Sequence, residues 1–323
     1  MFGKLEKRKY FRGKKSTDRP MDVRIEAFLR YIRYEKNYSE QTMRSYRQDL
    51  LQFEDFVIGL CGEFDPLHLD VDLARLWMAD MAKNGAAVSS VKRRLCALRS
   101  FYKYLRRQKL VEGDSFRLLP TPKVSKSLPV WAREEQMEKV LDETDFGDGF
   151  IALRDRLLVD VLYSTGMRRA EIAALKDSDI DCASFVIKVF GKGGKHRMIP
   201  FGKDLAQSMQ QYLEARLMEV GGKTEFFFVT PDGESLGVNR VYRIVRNRLS
   251  AIGNLSKRSP HVLRHSFATN MLNNGADLMA VKELLGHSTL DATEIYTHLT
   301  PQEILESYKQ AHPRAENANL RKK

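Results

Sequence analysis

Ser259-Pro260-His261-Val262-Leu263-Arg264-His265 packs two imidazoles and a guanidinium into seven residues. Proline suits the first turn of a helix, where its missing N–H is not needed. The sequence therefore predicts a helix starting near His261. His261, Arg264 and His265 then fall at i, i+3 and i+4, on one face. One fixed cation and two titratable rings sit beside a helix N-terminus, whose free N–H groups and dipole already attract anions. That combination describes a phosphate site with acid–base capacity. Histidines four apart also suit zinc, but no glutamate follows His261 and no cysteine lies nearby, so the HExxH pattern is absent. A core-packed ring is the ordinary reading of one histidine, less so of three polar residues sharing a face.

Outward from this stretch lie three further pieces. Upstream, Tyr163-Ser164-Thr165-Gly166-Met167-Arg168-Arg169-Ala170-Glu171 ends one apolar helix at Gly166 and begins another. Arg168 falls at the new helix start, where a guanidinium can face a phosphate, and Glu171 lies one turn on. Alone, such a pair is commonly a surface contact worth little. Gly191-Lys192-Gly193-Gly194-Lys195 reads as a hairpin turn. It is not a P-loop, since GxxxxGK[ST] does not match and it joins strands. Lys192 on such a turn can reach a leaving oxygen, and from spacing it is equally an ordinary exposed lysine. Downstream come Leu284-Leu285-Gly286-His287-Ser288-Thr289 and Tyr296-Thr297-His298, with Tyr296 in a short helical piece over 293–299 bounded by Pro301. A tyrosine is a poor nucleophile until a base or neighbouring cations draw off its proton. No carboxylate cluster suggests a two-metal nuclease. Asp177, Asp179 and Asp181 lack the glycine and closing glutamate of a calcium loop. These patterns call for no metal.

Composition agrees with a nucleic-acid partner. Lys and Arg number 54 against 42 Asp and Glu, a formal charge of +12; an inert basic surface would also give this, but such an excess favours a polyanion. The three cysteines, Cys61, Cys96 and Cys182, are widely spaced without CxxC and predict neither a disulfide framework nor a zinc cluster. No apolar run is long enough to span a bilayer, and no apolar segment follows the basic start to make a secretory signal. The expectation is a soluble, cytoplasmic protein without a membrane partner.

The chain of 323 residues is comfortable for two domains. Residues 1–20 carry eight Lys/Arg and read as a basic flexible tail. From 21 to 110 the periodicity is helical: Ile25, Phe28, Leu29 and Ile32 make one stripe, Ser39 caps a helix through Tyr46, Leu50 and Phe53, and Asp72 caps another. The clearest helix is Ser89 to Gln108, with Val91, Leu95, Leu98, Tyr102 and Leu105 inward. On its outer stripe Lys92, Arg99, Lys103 and Arg106 recur without an acidic i+4 partner, which suits DNA phosphates better than a merely solvated face. Residues 111–129, with Pro120, Pro122 and Pro129, read as an extended linker. The second domain, 130–323, begins with helices over Glu134–Leu141 and Phe150–Ser164. Strands follow at Phe185–Phe190 and His196–Phe201, with a third at Phe226–Thr230. After Gly237 it turns helical, and Arg240 and Arg243 add cations for DNA. The fold class is mainly α with a small antiparallel sheet, in two domains: a helical N-terminal domain whose basic stripe suits DNA, and an α+β second domain. With one domain on each side of the duplex, the two would form a clamp.

Four motifs in order, Tyr-x-Thr-Gly-Met-Arg-x-x-Glu, Gly-Lys-Gly-x-Lys, His-x-Leu-Arg-His-Ser-Phe-Ala-Thr and Leu-Gly-His-x-x-x-x-x-Thr-x-x-Tyr-Thr-His, resemble the tyrosine recombinase (phage-integrase) family over about Met21 to Ala315. The resemblance implies that Arg168 and Arg264 clamp the scissile phosphate, Lys192 protonates the departing 5′ oxygen, and Tyr296 is the nucleophile forming a 3′-phosphotyrosyl intermediate. It places His265 at an acid–base position, His261 and His287 at phosphate-contacting positions, and Glu171 in support. It implies neither ATP nor metal, hence no cofactor. Within the family the chain is most similar to the Xer group. That implies chromosome-dimer resolution on double-stranded DNA at a short pseudo-palindromic site, by a tetramer of itself or with a related recombinase, each C-terminal segment docking on a neighbour. It also implies control by a DNA translocase. Arg169 departs from the family's apolar or small residue and is expected to point away. The basic tail exceeds the usual Xer start and keeps an integrase or invertase of a mobile element open. The same residues would also serve a type IB topoisomerase-like activity. From a different class, a non-catalytic sequence-specific DNA-binding protein would share the basic surfaces without the reaction.

Overall fold

The computed structural model describes residues 20–113, 115–123, 130–143, 146–191, 196–222, 224–253, 255–286 and 300–315. The chain divides into two compact units, Met1–Ser127 and Leu128–Lys323.

Among its described residues the first unit holds four α-helices, α1 (Val23–Tyr34), α2 (Glu40–Cys61), α3 (Val71–Lys83) and α4 (Val88–Arg107). Each contributes one apolar stripe to a common core: Ile25, Phe28 and Ile32 from α1, Leu50, Phe53 and Val57 from α2, Trp77 from α3, and Leu95, Leu98 and Phe101 from α4. Ser39 caps α2, its hydroxyl accepting the N–H of Thr42 at 3.3 Å. The cap of α3 is Asp70, two residues earlier than expected: Asp70 accepts the N–H of Asp72 at 2.9 Å, and Asp72 lies inside the first turn, paired with Arg75. Both aspartates are competent caps, and the chain turns helical at the first.

Two expectations for α4 and the stretch after it are corrected. Residues 111–129 are not extended throughout. Ser115–Leu118 forms a 3₁₀ turn, Phe116 stacks on Tyr102 with ring centroids 3.5 Å apart, and Leu119 is buried with it. Proline-rich texture signals the end of a helix but not the apolar side chains that still dock on it. Arg99, expected on the DNA-facing stripe, instead holds this turn, donating to the carbonyls of Phe116 and Leu119 and to Thr121 Oγ1. Lys92, Lys103 and Arg106 are exposed on the outer face.

In the second unit α5 (Glu134–Glu138) passes into a π-turn, Lys139–Glu143, so the single helix expected over Glu134–Leu141 is divided. The central α6 (Gly149–Thr165) is buried on nearly every side, as expected of a helix apolar all round. It packs against α8 (Lys203–Val220) and α10 (Pro260–Asn273). Around these lie α7 (Arg169–Ala173), α9 (Val238–Arg248), α11 (Leu278–Leu285) and α12 (Pro301–Ala311). The sheet is antiparallel in the order β1 (Ile180–Asp181), β2 (Val186–Phe190), β3 (His196–Pro200), with Ile187 opposite Ile199 and Phe190 opposite His196. The third strand expected at Phe226–Thr230 is absent from it. That segment makes one isolated bridge, Val229 to Ser235, and is tied down by Phe227 N–H to the Leu175 carbonyl at 2.7 Å and by the Tyr212 hydroxyl donating to the Phe227 carbonyl at 2.9 Å. Its aromatic content reflects core burial rather than strand pairing. No helix among the described residues is long and apolar enough to cross a membrane.

In the single chain the segment through Ala315 packs on its own unit. Tyr308 is buried, donates to the Ser164 carbonyl at 3.1 Å and stacks on the buried His312, while Arg314 reaches Asp160 at 3.3 Å.

Candidate functional site

α10 begins at Pro260 with Ser259 as N-cap. His261 and His265 are exposed and Arg264 is half-buried beside them. The guanidinium of Arg264 is held from behind, donating to the carbonyls of Gly166 and Leu285 at 2.6 Å each. Gly166 can offer that carbonyl because it ends α6 in the left-handed region, φ 61°. A Cβ there would sit 2.7 Å from the Phe267 ring and 2.8 Å from Leu285.

Arg168 caps α7. Its N–H donates to Glu171 Oε2 at 2.7 Å, and its guanidinium donates to Glu171 Oε1 at 2.8 Å and to the Gly286 carbonyl at 3.1 Å. The spacing Arg168-x-x-Glu171 is thus no loose surface pair. The Glu171 side chain is buried, and a second arginine, the buried Arg197 of β3, donates to both its oxygens at 3.0 and 2.8 Å. Arg197 Nε also donates to the Leu284 carbonyl at 2.7 Å.

Three successive carbonyls at the end of α11, those of Leu284, Leu285 and Gly286, therefore accept from Arg197, Arg264 and Arg168 in turn. The last carbonyls of a helix have no intrahelical partner and carry partial negative charge, so cations are favoured there. The helix end anchors three guanidiniums gathered from α7, β3 and α10.

Charge in the cluster is unbalanced, three arginines facing one carboxylate. Burial and then the neighbouring Arg168 press Arg264 down to about 10, which leaves it charged at neutral pH in a place that favours an anion. Burial would raise Glu171, but the hydrogen bonds from Arg197 and Arg168 outweigh it and hold the carboxyl below its ordinary value. Burial, followed by Arg169, Arg264, His265 and Arg168, lowers His261, so its imidazole is neutral near pH 7 and able to donate or accept a proton. Arg168, Glu171 and Arg197 also line a cleft of about 720 Å³ with Phe190, Gly191 and Gly286.

The structure thus brings Arg168, Arg264 and Glu171 together, with His261 and His265 on the same face of α10 as Arg264. Lys192, His287 and Tyr296 lie outside the described residues; Gly191, next to Lys192, and Gly286, next to His287, border the cleft. Arg240 and Arg243 are exposed on α9, and Lys92, Lys103 and Arg106 belong to the other unit. Arg169 is a correction. It does not point away: its guanidinium lies over the Tyr242 ring at 5.9 Å and bears on His261. Arg197 was missed by sequence reasoning. Its signal was a charge at an inward position of the alternating strand His196–Pro200, where Ile199 is also buried. Among the described residues no group of three or more His, Cys, Asp or Glu side chains could hold a metal ion.

Chemically, two guanidiniums fixed on carbonyls and one helix face of imidazoles can hold a tetrahedral anion and stabilise charge building on it. Comparison with known proteins identifies the family. The phage integrase family matches residues 131–303, and the phage integrase N-terminal SAM-like domain matches residues 25–109. The tyrosine recombinase XerC of Pelotomaculum thermopropionicum is 37% identical over 305 residues, covering 91% of this chain and 99% of that protein. The XerC of Oceanobacillus iheyensis is 38% identical over 302 residues, covering 91% and 97%. Among solved structures, the XerH site-specific recombinase bound to its difH substrate before cleavage is similar at a TM-score of 0.64 and 25% identity, covering 88% of this chain and 83% of that one. With both units matched and the arginine cluster in place, the chain belongs to the phage integrase family of tyrosine recombinases.

Proposed function

We propose that this chain cuts and rejoins double-stranded DNA at a short pseudo-palindromic site, in the manner of the Xer recombinases it resembles, and that it resolves chromosome dimers in the cytoplasm. The observation that carries the reading is the convergence of Arg168 and Arg264 on the end of α11, one residue before His287.

The reaction is the one that the family resemblance implies for these residues. Arg168 and Arg264 hold the non-bridging oxygens of the scissile phosphodiester, and His261 and His287 add hydrogen bonds to it. The Tyr296 oxygen attacks phosphorus, its proton passing to an acceptor such as His265. The bond from phosphorus to the 5′ oxygen breaks, and Lys192 protonates that oxygen as it leaves. A 3′-phosphotyrosyl ester remains, which conserves the bond energy, so a 5′ hydroxyl from another strand reverses the step and joins new partners. Glu171 keeps Arg168 in place. Lys92, Lys103, Arg106, Arg240 and Arg243 contact flanking phosphates, which predicts binding that weakens steeply with salt. The assembly is a tetramer on DNA, of this chain or with a related recombinase, under control of a DNA translocase.

The test is to express wild type and Tyr296→Phe in cells, denature the lysates, recover DNA covalently attached to the protein and sequence it. A focused peak in wild type, absent from the variant, supports the nucleophile and names the site; a locus near the chromosome terminus supports dimer resolution. A peak that persists in Tyr296→Phe overturns the assignment.

A further inference from the structure

Beside the arginine cluster lies a second cleft, of about 580 Å³, that the reaction above does not use. Arg246 of α9 lines it, together with Lys257 and Arg258 of the segment leading into α10, Tyr242, and the serines 256 and 259. No carboxylate is among its lining residues. Ser259 is the N-cap of α10, so the cleft adjoins the helix that carries His261 and Arg264. Two observations mark it as built for an anion rather than a solvated basic patch. The Nε of Arg258 is buried and has no hydrogen-bond partner among the described residues. A buried donor left unpaired is costly, and turning the guanidinium outward onto an oxygen acceptor held in the cleft relieves it. Arg169, the residue that departs from the family pattern, stacks on the Tyr242 ring at 5.9 Å and bears on His261, so it bridges this cleft and the first site.

We infer that Arg169, Arg246 and Arg258, with Tyr242 as the platform for Arg169, form a second phosphate site that holds a DNA phosphodiester flanking the scissile one. The inference rests on the recombinase reading for the identity of its ligand. Its work is positional. Gripping two phosphates on either side of the α10 N-terminus fixes the strand's register, so the scissile phosphorus is presented to Arg168 and Arg264 in one orientation.

The experiment uses full-length protein, a duplex carrying the site recovered by adduct mapping, and a random-sequence duplex of equal length. Arg169→Gln and Arg258→Gln each lower the slope of log K against log salt by about 0.9, the value for one lost phosphate contact, and Arg169→Lys restores it. On the mapped site, neutral methylphosphonates are placed singly at the phosphates flanking the cut. At one position wild type loses about 10-fold or more in cleavage, and Arg169→Gln loses no more than it already has. Unchanged salt slopes in variants that unfold like wild type overturn the inference. So does a wild type indifferent to every flanking methylphosphonate, which needs no variant to fold. If wild type forms no covalent adduct, the recombinase reading fails separately, and the slopes on random duplex still decide whether the cleft binds phosphate.

Discussion

Glu171 of α7 and Arg197 of β3 are joined through both carboxylate oxygens, at 3.0 and 2.8 Å, across 26 residues of sequence, with both side chains largely buried. The same carboxylate holds Arg168, whose side chain stays partly exposed. Arg197 therefore reaches Arg168, one of the two arginines proposed to clamp the phosphate, through Glu171, as a positioning residue.

Removing one partner of this pair strands the other. Arg197→Met leaves Glu171 buried with only Arg168, and breaking such a buried pair costs about 3–5 kcal/mol. Denaturant titration followed by tryptophan fluorescence reads the loss, since Trp131 lies in this unit. Cleavage falls about 10-fold or more even where the protein is folded, because Arg168 loses its fixed orientation. Cleavage equal to wild type in a folded Arg197→Met would show that Glu171 needs no second arginine.

Acid should act on the same carboxylate. Glu171 titrates below its ordinary value in the folded chain, where the hydrogen bonds from Arg197 and Arg168 overcome burial. A depressed carboxylate contributes stability that is present in full above the unfolded value, about 4.5, and is lost as pH falls through the folded one. The stability gap between wild type and Glu171→Gln is therefore largest at about pH 6–7 and narrows below about pH 4.5. Midpoints of urea unfolding across that range check it; a gap that widens toward acid contradicts the sign.

Gly166→Ala tests the seat of Arg264. The position needs φ 61°, and a methyl there meets Phe267 and Leu285 inside van der Waals contact. Strain and overpacking together cost about 2–4 kcal/mol. The carbonyl that accepts from Arg264 shifts with them, so DNA binding survives better than cleavage. Single-turnover cleavage beside gel-shift affinity separates the two.

Lys192 is tested by changing the leaving group rather than the protein alone. A 5′-bridging sulfur departs as a thiolate and needs no proton, thiols being more acidic than alcohols. Lys192→Ala cleaves the oxygen substrate about 10²-fold or more slowly and the sulfur substrate near the wild-type rate. An equal defect on both substrates would assign Lys192 to phosphate binding instead.

In the N-terminal unit, Arg99 and its helix neighbours should separate. Arg99 is engaged by the carbonyls of Phe116 and Leu119, whereas Lys92 and Lys103 are exposed. Lys92→Gln and Lys103→Gln each reduce the salt slope of DNA binding by about 0.9. Arg99→Gln leaves the slope alone and lowers stability by about 1–3 kcal/mol, the cost of freeing those carbonyls. A slope change for Arg99→Gln equal to that of Lys92→Gln would reverse the assignment.

Much of this was legible in the sequence because it is local. The stripe Ile25, Phe28, Leu29, Ile32 follows from helical spacing alone, Ser39 caps the helix it was expected to cap, and Pro260 opens α10 so that His261, Arg264 and His265 share a face. The strand pair at 186–200 is equally local, set by alternation along two short segments close in sequence. What the sequence could not decide is what depends on residues far apart meeting. Aromatic density at 226–230 suggested a strand, but those rings fill the core under α8, and the third strand is the two-residue β1. A cation on a helix face looks the same in sequence whether it meets phosphate, as proposed for Lys92, or a carbonyl, as Arg99 does. Arg169 was expected to turn away, standing where the family has an apolar or small residue; Tyr242, more than seventy residues on, holds it instead. The sequence by itself determined most of the helices and the cap of α2, and it offered the candidate reactive groups, since backbone propensity and side-chain chemistry are properties of short segments. Only the tertiary structure decided that Arg168, Arg197 and Arg264 converge on three successive carbonyls of α11, because a carbonyl's availability is set by where its helix ends and what packs against that end, and no residue type announces it.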